Sequence, residues 1–236
     1  MQGLFSMTRS SLPSLPSKGK CMLSGKFLDV MKEAIEKSVE VGAECGVTFC
    51  VDKRTGDMVA TRIHVGTAVE VDIPRCPRGT RKIGSFHTHL GKEVTPSLND
   101  VAGAIDRGEE FMCVGVENDV YKDLRGGQQG FKAGRILCIH FNRDHPEFMR
   151  WVRRLEDKMI DVAIAYERVM EKIYEENKVP DEEDAMRVEE RLRDFDWVFW
   201  HDGLSSGVIG FCSPVEVDNE TLVIYRDLKR ERRLEG

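Results

Sequence analysis

Residues 84–100, GSFHTHLGKEVTPSLND, constrain the fold more than any other stretch, because they call for a strand, a loop and a helix start in that order. His87 and His89 are separated by a single residue. In an extended strand residues i and i+2 share a face, close enough for two imidazoles to grip one metal ion. After a gap of seven residues comes Ser97, and Asp100 follows three positions later. Ser97 reads as the N-cap of a helix, with Asp100 in its first turn. Two neutral imidazoles and one carboxylate, with the fourth tetrahedral position left to water, form the ligand set of a catalytic zinc rather than a structural one.

Taken singly, the pieces are weak. An H-x-H pair occurs in many strands without a metal, and Ser97 with Asp100 reads equally well as a capping pair. The joint pattern H-x-H-x7-S-x2-D is specific, and it resembles the motif of the JAMM (MPN-plus) zinc metalloprotease family, in which a Glu precedes H-[ST]-H-x7-S-x2-D at a distance. Gly84, His87, Thr88, His89, Pro96, Ser97 and Asp100 match it as they stand. Leu90 stands where many members carry Pro, a change that removes no ligand.

The resemblance spans residues 26–142. It implies an α/β (α+β) fold, with a cytidine-deaminase-like mixed sheet flanked by helices. It implies Zn2+ held by His87, His89 and Asp100, water activated at zinc, Glu44 as general base and the Ser97 hydroxyl as donor to the oxyanion. The implied reaction is hydrolysis of an amide or isopeptide bond after the C-terminal tail of a ubiquitin-like or sulfur-carrier protein. The alternatives are a zinc peptidase acting on another peptide, and a catalytically inactive MPN-type scaffold whose helices hold a complex together.

The residues around the motif supply its framework. In 26–41, Phe27, Val30, Met31, Ala34, Ile35 and Val39 recur at three- and four-residue steps, so the spacing predicts an amphipathic helix packed on a sheet. In 43–51 the odd positions from Ala43 to Val51 form an apolar strand face. Glu44, Gly46, Thr48 and Cys50 form the other face, which turns Glu44 away from the core. Glu40 and Glu70 are rival bases. Further strands are expected over 58–65, 68–73, 111–116 and 131–141, with a flexible loop at 125–130. His64 and His140 have no motif partners and read as structural.

From His145 the pattern changes. Phe148, Val152, Leu155, Met159, Val162, Tyr166, Val169 and Ile173 form an a/d seam, which predicts a long helix over 146–177. Val179-Pro180-Asp181 breaks it, and 182–195 carries a second amphipathic pattern, giving a helical hairpin. The seam either covers the sheet or forms a homodimer or partner interface. Trp197, Phe199 and Trp200 read as packing anchors, and 208–212 and 221–225 as short strands. His201-Asp202 is set aside as a metal pair, because neighbours in a strand point oppositely. The expected organisation is a disordered leader over 1–22, a catalytic domain over 23–145, a helical hairpin over 146–196, and terminal strands with a mobile tail over 197–236, packed on the catalytic domain.

Composition narrows the partners. A net charge of -6 with no long basic run argues against nucleic acid. No apolar run approaches the roughly 20 residues that span a bilayer, so no membrane partner is expected. The seven cysteines include no C-x-x-C pair. They read as reduced thiols rather than a disulfide framework, which points to the cytoplasm.

Overall fold

The structure is a computed structural model that describes residues 25–91, 94–117 and 134–211. The expected leader, the loop at 125–130, the strand at 221–225 and the tail lie outside these residues, as do 131–133 of the strand expected to end at 141. The described residues divide into two compact units, one holding 25–141 together with Phe211 and one running from Asn142 to Gly210.

The first unit is a mixed α/β arrangement. Helix α1 (Gly25–Val41) is followed by β1 (Cys45–Asp52), β2 (Met58–Ala60), β3 (His64–Val65), β4 (Thr80–Thr88), α2 (Leu98–Asp106), β5 (Phe111–Glu117) and β6 (Gly134–Phe141). The strands lie in the order β2-β1-β4-β5-β6, with β3 also paired to β1. Strands β4 and β5 run parallel, and the intervening chain with α2 makes the crossover that a parallel pair needs. The helical stripe read from the sequence is the buried one: Phe27, Leu28, Met31, Ala34 and Ile35 of α1 join Cys45, Val47, Phe49, Phe86 and Phe111 in one core. Full burial of such side chains contributes roughly 1.5–3 kcal/mol each.

Two strand expectations are corrected. Strand β1 is not two-faced in the simple sense, because Cys45 through Cys50 are all buried. The chain at 66–78 folds back over its second face: Val71 and Ile73 approach Gly46 so closely that a Cβ there would lie 3.1 Å and 3.3 Å from their side chains. The Thr48 hydroxyl donates to the Pro74 carbonyl on the same face. Residues 68–73, expected as a strand, form this covering segment instead and join no ladder.

The cysteines also depart from expectation. Cys50 is bonded to Cys76, and Cys113 to Cys138. The first pair follows from the covering segment. The second follows from register, since Cys113 and Cys138 are direct partners on β5 and β6. Neither juxtaposition is visible in spacings of 26 and 25 residues. Among the described residues Cys45 is a free thiol, and it is buried.

The second unit contains α3 (Phe148–Tyr174), α4 (Glu182–Asp196), a π-helical turn (Trp197–Asp202), α5 (Gly203–Ser206) and the start of β7 (Ile209–Phe211). The hairpin is present as expected, and Asp181 caps α4 through a capping box with Asp184. Phe148, Trp151, Val152, Leu155 and Val162 of α3 are buried, as are Phe195 and Phe199 of the second arm. The Trp151 indole N–H donates to the Val198 carbonyl at 2.9 Å. Further along, the seam opens to solvent at Tyr166 and Ile173. Trp197 is a correction: unlike Phe199 and Trp200 it is 58% exposed. It stacks on His201 at 3.8 Å instead of entering the core. Among the described residues no helix is long and apolar enough to cross a membrane.

Candidate metal centre

The centre is built where β4 ends. Its strand pairs with β1 on one side and β5 on the other, so His87 stands opposite both Gly46 and Val114. A central strand has little freedom to shift register, and the His89 N–H extends the pairing by donating to the Gly115 carbonyl at 2.9 Å. The i, i+2 geometry read from the sequence holds: the Nε2 atoms of His87 and His89 are 3.1 Å apart.

Asp100 arrives from the other side. Ser97 is the N-cap of α2, its hydroxyl accepts from the Asp100 N–H, and Asp100 Oδ2 accepts the Ser97 N–H at 2.6 Å. The capping box fixes the carboxylate, which turns Oδ1 to His87 Nε2 at 3.1 Å and Oδ2 to His89 Nε2 at 3.5 Å. Burial would raise the Asp100 carboxyl, but the hydrogen bonds from His87 and His89 overcome it and hold the group far below the usual carboxylate range. It is therefore an anion at any physiological pH.

One ligand atom from each of His87, His89 and Asp100 lies within 4.8 Å of the other two. Ligands about 2.0–2.1 Å from a tetrahedral zinc are separated from one another by about 3.3 Å. The two Nε2 atoms, 3.1 Å apart, and their contacts of 3.1 Å to Asp100 Oδ1 and 3.5 Å to Oδ2 are close to that separation, so the three side chains can converge on one ion. Among the described residues this is the one group of His, Cys, Asp and Glu arranged to hold an ion.

Glu44 is brought to the level of the histidines by the β1 register. Gly46 pairs with His87; two residues back along β1 is the level of His89, and residues opposed in an antiparallel pair share a face. Helix α1 ends at Val41, and Gly42 after it has a φ of +64° that suits a residue without Cβ. The N–H groups of Gly42 and Ala43 both donate to the Ser38 carbonyl. The Glu44 N–H then donates to Thr67, and the Glu44 carbonyl accepts from Gly66. Burial pushes the Glu44 carboxyl up from its ordinary value, the imidazoles of His89 and His87 pull it back in part, and Asp100 and Glu70 add to the rise. The rival Glu40 is instead paired with Lys37 at 2.9 Å on the surface. Glu70 is exposed.

Ser97 has two possible duties, and its hydroxyl geometry serves the cap. A side-chain hydrogen bond from Ser97 also helps to hold the Asp100 carboxyl low. His64 is exposed on β3, as its reading as a structural or surface residue requires. His140 is half-buried, and burial lowers its pKa while Glu110 opposes the shift. His201 and Asp202 lie 3.4 Å apart in a helical turn, and Asp202 is taken by Arg154 at 3.0 Å.

Sequence reasoning missed the supporting groups. Glu109 is fully buried, accepts from the Ser85 hydroxyl at 2.6 Å and from Arg107 Nε at 2.7 Å, and lies 3.7 Å from Lys82. It anchors β4 two residues below His87. The signal available was its place between a helix and a strand, which looks like any solvated turn. Comparison of the chain with protein-family models and with curated proteins finds no match in either case.

Proposed function

We propose that the protein is a zinc-dependent hydrolase of amide bonds resembling the JAMM metalloproteases. The observation that carries this reading is the joint geometry of His87, His89 and Asp100, with Glu44 on the same face of the sheet. When bound, zinc supplies a Lewis acid that brings the pKa of water toward neutrality and polarises a carbonyl.

The chain's own residues do the rest. The imidazoles of His87 and His89 present neutral Nε2 atoms, and the Asp100 carboxylate offsets part of the ion's charge. Glu44, whose carboxyl feels the charges of His89, His87 and Asp100, accepts a proton from the attacking water and returns it to the departing amine; its raised pKa brings it closer to neutrality, which suits both transfers. Ser97 contributes a hydroxyl that can donate to the oxyanion while its oxygen still caps α2. No acyl-enzyme is expected, because water attacks directly.

The proposed substrate is a conjugate joined after the C-terminal tail of a ubiquitin-like or sulfur-carrier protein, which rests on the motif resemblance alone. A homodimer through the C-terminal helices belongs to the same proposal. So does the cytoplasmic location, which stands in tension with the two disulfides. Alkylation of thiols in intact cells decides it: free Cys50 and Cys76 support that location, and bonded ones overturn it.

The test of function is turnover of diglycine-ended protein conjugates, with and without a chelator. Cleavage that the chelator abolishes and zinc restores supports the reading. Glu44→Gln should keep the metal and lose turnover. Turnover retained by that variant would move the base elsewhere, and zinc-loaded protein inert toward all peptide bonds would favour a scaffold.

A further inference from the structure

Thr88 stands between the two metal-facing histidines, and alternation points its side chain to the opposite, apolar face of the sheet. Its neighbours on that face are Phe86 and the packed stripe of α1. Valine has nearly the same shape and an equal liking for strands, so the hydroxyl calls for an explanation. Thr88 is 1% exposed and Ser38 2%.

The Thr88 hydroxyl makes two contacts. Its oxygen accepts the Cys45 N–H at 2.9 Å, and its proton goes to the Ser38 hydroxyl at 2.8 Å. Cys45 is the residue after Glu44. Ser38 is also the residue whose carbonyl takes the N–H groups of Gly42 and Ala43, the two residues before Glu44, at 2.9 and 3.3 Å. One side chain on the ligand strand thus closes both ends of the short segment that carries Glu44.

From this closure we infer that Thr88 is a positioning residue for Glu44: it sets the distance between the acid on the α1–β1 connection and the His87/His89 pair. The inference rests on the proposed metal centre and adds a residue that neither binds the ion nor touches substrate. A histidine-bearing strand and an acid-bearing loop belong to different parts of the chain, and the ladder between β1 and β4 ends at Gly46 and His87. Beyond that pair the side-chain bond from Thr88 replaces the missing backbone bond. Glu44 lies in this extension.

The test is a double-mutant cycle on the full chain loaded with zinc, read by the affinity of acetohydroxamate, which chelates zinc and shares its hydroxyl proton with a nearby base. Zinc affinity is measured in parallel by competition with a chromophoric chelator. Thr88→Val should weaken acetohydroxamate binding about 10-fold in the native background and by less than about 2-fold on top of Glu44→Gln, the non-additivity that marks two groups acting as one. Zinc affinity should stay within about 3-fold, and Thr88→Ser, which keeps the hydroxyl, should stay within about 3-fold of the native chain in both readouts.

Equal losses in the two backgrounds, or no loss in the native one, overturn the inference while leaving the metal centre intact. Failure of the native chain to bind zinc overturns both. Should Thr88→Val not fold, Ser38→Ala takes its place in the same cycle, and additivity there overturns the inference in the same way.

Discussion

Glu44 is held where its charge is costly, and that cost is measurable without any substrate. A carboxyl whose folded pKa is raised binds its proton more tightly folded than unfolded. Below the ordinary value of 4.5 both states are protonated and no penalty exists; as pH rises through 4.5 and past the folded value, stability is lost. Glu44→Gln, which has no charge to desolvate, should therefore raise the melting temperature of chelator-treated protein at about pH 7 and leave it unchanged at about pH 4. An unchanged melting temperature at both would mean that the carboxyl is solvated and away from the site. Glu109 makes the opposite case. Its charge is fully buried but paired with Arg107 and Lys82, so Glu109→Ala strands two cations and should cost about 3–5 kcal/mol in denaturant unfolding. A loss below about 1 kcal/mol would show that water reaches the cluster.

At the scale of elements, what could be read from the sequence was what local pattern encodes. The i, i+2 pair at the end of β4, the capping pair at Ser97 and the stripe on α1 are consequences of strand and helix periodicity, and all stand where the residues indicate. What could not be read depended on contacts between distant segments. The second face of β1 is buried because 66–78 folds over it, and nothing in the alternation of 43–51 announces a cover. The disulfides follow from that cover and from the β5–β6 register. Peptide mapping of protein purified without reductant should therefore find Cys50 linked to Cys76 and Cys113 to Cys138. Reducing the Cys50–Cys76 bond should lower stability by about 3 kcal/mol on chain-entropy grounds. Alkylation of all four thiols in unreduced protein would contradict this.

For the whole molecule, the division at Phe141 separates the candidate chemistry from the hairpin. All five residues of the proposed site lie in the first unit, while the seam of α3 opens to solvent at Tyr166 and Ile173 in the second. The central claim concerns one ion, and the most direct measurement is the metal content of the purified chain by mass spectrometry of the elements. The account predicts one zinc per chain, lost when His87 and His89 are both replaced by Ala and kept in Glu44→Gln. Absence of stoichiometric metal, or metal indifferent to both histidines, would contradict it.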